Sequence, residues 1–106
     1  MKIEYMTLGP FATNTYIVYD EKTSHGVVID PSFSPDKYIS ELNDKKIILE
    51  SILLTHAHVD HLAGLNQLRE AFPDAKFYMD KRDEELLRDP NMNLSDFLPE
   101  PIVCKP

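Results

Sequence analysis

A single cysteine, Cys104, is the only thiol in this 106-residue chain. It excludes an intramolecular disulfide and suits a reducing compartment such as the cytoplasm. With no histidine or second cysteine beside it in sequence to activate it, Cys104 reads as a small hydrophobe rather than a nucleophile or ligand. Long apolar runs are missing as well. Met1 is followed by Lys2-Ile3-Glu4 with no apolar stretch behind it, so neither a signal peptide nor a membrane span is expected. Positive charge is scarce: 11 Lys and Arg face 18 Asp and Glu, a net charge of -7. No basic stretch is dense enough to offset that, which excludes nucleic acid as a partner. Repeats, low-complexity tracts and shifts in composition are also lacking, so one unit is expected over 1–106. With 42% hydrophobic and 27% charged residues the chain is apolar enough to fold around a modest core.

The pattern of apolar residues predicts the elements. Lys2 to Leu8 alternates loosely and is broken by Gly9-Pro10, as a strand ending in a turn. Thr15 to Tyr19 and Gly26 to Ile29 are β-branched and aromatic, separated by the polar stretch Asp20 to His25, which predicts a hairpin. Ser34 is a candidate helix cap with Pro35 at the first position and Asp36 in the first turn. Tyr38, Ile39 and Leu42 give that helix an apolar stripe, and it is expected to run to Lys45-Lys46. Ser51-Ile52-Leu53-Leu54-Thr55 is nearly all apolar, as in a strand covered on both faces. Leu62, Leu65, Leu68 and Phe72 recur at helical spacing and stop at Pro73, so a second helix is predicted just beyond residue 61. Lys76 to Met79 reads as a strand, Asp80 as a cap, and Lys81 to Arg88 as a surface helix. The tail from Leu98-Pro99-Glu100-Pro101 onward is expected to be extended. Strands alternating with helices call for an α/β fold, a sheet covered by helices whose site lies at the carboxyl end of a central strand.

Three of the four histidines fall between positions 56 and 61, directly after the apolar strand, in Thr55-His56-Ala57-His58-Val59-Asp60-His61. A lone histidine is usually a surface or satisfied core residue, whereas a strand-terminal cluster of this density points to a metal site. In an extended loop His56 and His58 project to the same side and can share one ion. Asp60 and His61 are adjacent, so they can share an ion only where the chain turns sharply. Imidazole and carboxylate donors suit zinc, iron or manganese, and residue types alone do not select among them. His25, in a polar turn with no partner near it in sequence, stays outside this set.

The stretch Thr55-His56-Ala57-His58-Val59-Asp60-His61-Leu62-Ala63-Gly64 resembles the signature of the metallo-β-lactamase-fold hydrolases. Thr13-Asn14-Thr15-Tyr16 and Ile29-Asp30-Pro31 resemble the corresponding segments of the glyoxalase II-like (hydroxyacylglutathione hydrolase-like) branch. The resemblance covers nearly the whole chain. It implies the first half of an αββα sandwich over 1–106, a mixed sheet with helices on one face. It also implies two zinc ions per complete site, His56 and His58 on the first, Asp60 and His61 on the second, with iron or manganese as alternatives. Asp30 would orient the loop or a ligand histidine by hydrogen bonding. Ser32 departs from the glycine usual after Asp-Pro, so the turn there is expected to differ. The family's remaining ligands, two histidines and a bridging aspartate, have no counterpart after His61.

The activity implied by the resemblance is attack by a metal-bound hydroxide on a thioester or ester-like carbonyl, with Asp60 as the catalytic residue orienting the water. The expected partners are a small-molecule thioester or ester, and either a second copy or a chain supplying the second half. The alternative is a truncated, non-catalytic metal-binding module or one half of a split hydrolase.

Overall fold

β-branched and aromatic residues concentrate in five strands: β1 (Lys2–Leu8), β2 (Thr13–Tyr19), β3 (His25–Ile29), β4 (Ile48–Leu53) and β5 (Lys76–Tyr78). They form one mixed sheet in the order β1-β2-β3-β4-β5. The pairs β1/β2 and β2/β3 are antiparallel, whereas β3/β4 and β4/β5 are parallel. Parallel neighbours need a crossover. Helix α1 (Pro35–Asp44) supplies the first, and α2 (Val59–Leu62) with α3 (Leu65–Ala71) the second; a 3-10 turn (Lys81–Asp83) and α4 (Glu84–Arg88) follow. The computed structural model describes residues 1–90, 93, 103 and 104, so the expected extended tail at 98–101 lies outside the described residues.

One face of the sheet carries the core. Ile17, Val28 and Ile52 from the strands pack with Tyr38 and Leu42 of α1 and with Leu62, Leu65 and Leu68 of α2 and α3. Each of these side chains is at most 1% exposed, and full burial of such a group stabilises by about 1.5–3 kcal/mol. The other face is open: Ile3, Tyr5 and Tyr78 are exposed, while Tyr16, Val18, Val27, Ile29 and Leu53 are half-buried. Helices on one face of a mixed sheet agree with the expectation. Burial of β4 on both faces does not hold among the described residues. Leu49, Ile52 and Leu54 are buried, but Ser51 and Leu53 between them are only half-buried, because no described helix covers their side.

Several local expectations need correction. The strand predicted at Ser51 to Thr55 starts earlier, at Ile48, and ends at Leu53. Ser34 precedes α1 but makes no side-chain cap bond: its left-handed backbone, φ 56°, is not the extended conformation from which a cap side chain reaches the first-turn amides. The single helix expected from Leu62 to Phe72 is two helices. Its first turn, Val59 to Leu62, already includes Asp60 and His61. The break comes at Gly64, whose N–H donates to Pro31 O at 2.9 Å instead of continuing the helix. The predicted strand at Lys76 to Met79 ends one residue sooner, at Tyr78. Asp80 does cap the next segment, accepting from Arg82 N at 3.0 Å, and the Arg82 guanidinium holds its carboxyl down to about 2.

Gly64 sits where the loop after β3 meets the helices. A Cβ built there would lie 1.9 Å from Tyr38 Oη and 2.5 Å from the backbone oxygen of Ser32. Tyr38 cannot retreat, since its hydroxyl donates to that same Ser32 oxygen at 2.7 Å. Gly64→Ala is therefore expected to destabilise the chain by about 3 kcal/mol, read from equilibrium urea unfolding; an unchanged midpoint would remove the claim that the contact is rigid. Cys104 is 2% exposed, and burial pushes its thiol up to about 11, partly offset by Arg69. A raised value keeps the thiol neutral until well above physiological pH. Iodoacetamide at pH 8 should modify the folded chain about 100-fold more slowly than the urea-unfolded chain, because the buried thiol supplies that much less thiolate.

Candidate metal centre

The strand directions decide where the site forms. Because β3 and β4 are parallel, their carboxyl ends, Ile29-Asp30 and Leu53-Leu54-Thr55, lie at the same edge of the sheet. β2 runs the other way, and its register, Tyr16 opposite Ile29, brings its first residues, Thr13 and Thr15, to that edge too. Three chain segments distant in sequence thus converge beside the histidine cluster.

Asp30 is the junction. It has a left-handed backbone, φ 55°, a conformation that Asp tolerates better than most residues. Its N–H donates to Leu53 O at 2.8 Å, and its backbone oxygen accepts from Thr15 Oγ1 at 2.7 Å. Thr15 Oγ1 in turn accepts from Ser32 N at 3.1 Å, bracing the turn at Asp30-Pro31-Ser32. The nearly buried side chain of Asp30 reaches across to β4's exit, where Oδ1 accepts from Thr55 N at 2.8 Å and Oδ2 from Thr55 Oγ1 at 2.6 Å.

The cluster is built on that support. Thr55 has one hydroxyl proton, donated to Asp30, so its Oγ1 can act only as acceptor toward His56 Nδ1 at 3.2 Å. That arrangement places the His56 proton on Nδ1 and leaves Nε2 with a free lone pair. The rings of His56 and His58 are near-parallel at 17°, with centroids 6.3 Å apart; His56 and His61 are 5.0 Å apart. Asp60 and His61 share a helical turn closed by His61 N donating to His58 O at 2.9 Å, the sharp turn that adjacent residues need in order to face one point. His61 Nε2 lies 3.2 Å from Asp60 Oδ2, and its Nδ1 lies 3.0 Å from Asp30 Oδ2. The second contact is close but not aligned as a hydrogen bond, and Nδ1 is buried without another partner among the described residues.

All four predicted residues, His56, His58, Asp60 and His61, are therefore neighbours at the sheet edge. Three imidazoles and a carboxylate suit a divalent first-row ion by donor chemistry. Among the described residues, however, no three His, Cys, Asp or Glu side chains are gathered tightly enough to enclose an ion. His25 lies at the opposite end of β3. It opens β3 rather than lying in the turn before it, and its partner is distant in sequence: parallel pairing with β4 sets its Nδ1 against the Glu50 carboxylate.

Sequence reasoning missed Thr13, whose Oγ1 donates to Asp60 Oδ2 at 2.8 Å across 47 residues. It also missed Asn93, which is buried and accepts from Val59 N at 2.6 Å, holding the middle of the cluster loop. The run Thr13-Asn14-Thr15 is a visible signal for the first, since alternate hydroxyls fall on one face of a strand. No local signal marks Asn93.

Residues 8–104 match the family described as the Metallo-beta-lactamase superfamily. The chain belongs to that superfamily. This superfamily member is 40% identical over 81 residues to a hydroxyacylglutathione hydrolase of Francisella philomiragia, a match covering 76% of this chain and 30% of the relative. Its fold matches the BLEG-1 B3 metallo-beta-lactamase with a TM-score of 0.87 at 31% identity, over 96% of this chain and 48% of that one. It also matches TTHA1623, determined in a di-iron-bound form, with a TM-score of 0.76 at 32% identity, over 97% of this chain and 50% of that one. The chain spans half or less of the length of each of these proteins. The superfamily is metal-dependent, and the mixed five-stranded α/β sheet of this chain matches about half of the fold of its solved neighbour. Among the described residues no helix is long and apolar enough to cross a membrane.

The Asp30 junction makes a measurable claim. Asp30→Ala deprives the Thr55 N–H and hydroxyl of their acceptor and puts alanine in a left-handed conformation, which together should cost about 3 kcal/mol. Asp30→Asn keeps one acceptor oxygen and tolerates the backbone, and should cost about 1 kcal/mol. Equal losses in urea unfolding would show that the carboxylate does not hold the loop.

Proposed function

We propose that the chain is the metal-binding N-terminal half, residues 1–106, of a hydrolase acting on thioesters or ester-like carbonyls of small molecules, in the manner of its hydroxyacylglutathione hydrolase relatives. The observation that carries this reading is the gathering of His56, His58, Asp60 and His61 at one sheet edge, on supports supplied by three separate strands. His56 and His58 would hold one ion, and Asp60 and His61 a second. Zinc is the first choice, with iron or manganese as alternatives. Such ions, when bound, acidify water and polarise a carbonyl. The chain's own residues do the positioning: Thr55 fixes the proton on His56 Nδ1, Asp30 lies against His61 Nδ1, and Asp60 presents a carboxylate able to orient a nucleophile.

Two protein donors per ion leave each ion short of the three or more that a catalytic site uses. The remaining donors would come from a further segment or partner chain, or from a second copy, docked against the open face of the sheet, where Tyr5, Tyr16, Val27 and Leu53 lie. A cytoplasmic location is part of the same reading, supported by the free thiol of Cys104.

The test is metal uptake. The purified chain, in equilibrium dialysis against Zn²⁺, Fe²⁺ or Mn²⁺, should retain metal above the level in the dialysate, and the His56→Ala, His58→Ala double variant should lose at least half of it. Hydrolysis of a glutathione thioester should appear only when the remaining donors are supplied. A wild-type chain that retains none of these ions would remove the reading.

A further inference from the structure

We infer that Thr13 is a positioning residue for Asp60, fixing the torsion of its carboxylate so that one oxygen is held and the other faces a ligand. This rests on the metal-centre reading above for its consequence, though not for its geometry.

Thr13 opens β2 and is 7% exposed. Its backbone is fixed by antiparallel pairing with Leu8 of β1, and its branched Cβ restricts the hydroxyl to few rotamers. From that rigid base Oγ1 donates to Asp60 Oδ2 at 2.8 Å. The same Oδ2 faces His61 Nε2 at 3.2 Å, so both contacts fall on one oxygen and Oδ1 takes neither. A carboxylate on a helical turn otherwise rotates broadly about its last torsion, so that neither oxygen keeps a fixed direction. The Thr13 proton removes that freedom and leaves Oδ1 as the oxygen turned to an incoming ligand. A neutral hydroxyl suits the task, because it orients the carboxylate without cancelling its charge as Lys or Arg would. The link also ties α2 to the first residue of β2, a segment that the histidine motif alone would not reach.

Thr13→Val removes the donor and keeps the shape; Thr13→Ser keeps the donor. Three measurements on the full chain separate positioning from mere tethering. The first is the carboxyl ¹³C shift of Asp60 in the metal-free chain, expected to move in Thr13→Val and return in Thr13→Ser. The second is Zn²⁺ affinity by competition with a chromophoric chelator. It is expected to fall about 10- to 100-fold in Thr13→Val, the range for losing the hydrogen-bond partner of a ligand, and to recover with Thr13→Ser. The third is the thermal midpoint without metal, expected to be similar in the two variants. An Asp60 shift unmoved by Thr13→Val overturns the inference. So does Zn²⁺ affinity that stays at the wild-type value, or that falls equally in both variants. If the wild-type chain binds no Zn²⁺, the metal-centre reading fails and the Asp60 shift alone decides: movement with recovery upholds positioning, and no movement overturns it. Should Thr13→Val not fold, Thr13→Ala is compared with Thr13→Ser by the same readouts.

Discussion

The contact between the Asp30 carboxylate and Thr55 is the constraint on which the rest of the site depends. It joins the exits of two parallel strands, and both its partners do further work. Asp30 uses its N–H on Leu53, its carbonyl on Thr15, and both carboxylate oxygens on Thr55. A left-handed backbone at a non-glycine residue costs of order 1 kcal/mol, offset here because each polar group of the residue finds a partner. Thr55, held at both its amide and its hydroxyl, becomes a fixed acceptor beside His56. Loosening Asp30 would therefore free the loop's first residue and the tautomer of its first histidine together.

A division of labour follows. The donors are local, six residues of loop and helical turn, whereas the groups that aim them come from β2, the ends of β3 and β4, and Asn93. Gly64 closes the arrangement by letting the chain pass against Tyr38 and Ser32, so that α2 ends after one turn and Asp60 and His61 stay at the sheet edge. Burial raises the Tyr38 hydroxyl well above its ordinary range, with Asp36 adding to the effect. Tyr38 thus stays a neutral donor to Ser32 well above the pH at which an exposed tyrosine ionises.

The strands were legible wherever a run of β-branched residues coincided with hydrogen-bonded pairing, as in Thr15 to Tyr19. The histidine cluster was legible because its density is rare. What escaped lay in backbone geometry. Ser34 has the side chain of a cap, but its φ of 56° defeats the role. The leucines at 62, 65 and 68 keep helical spacing across a break that Gly64 imposes through a contact with Pro31, 33 residues earlier. Thr13 and Asn93 were hidden for a related reason, since each meets the cluster through pairing or packing that no short window contains. Leu53 read as a doubly covered strand residue because its apolar neighbours carry no sign of which face a helix will take.

The closeness of His56, His58, Asp60 and His61 along the chain has a thermodynamic consequence. A site assembled from distant residues vanishes on unfolding, and its ligand then stabilises the native state by the full binding term. Here the four donors remain within six residues of one another in the denatured ensemble, which keeps some affinity of its own. By mass action an ion would stabilise folding only by the ratio of its affinities for the two states. That ratio measures what Thr13, Asp30 and Thr55 contribute by aiming donors that the unfolded chain already holds together.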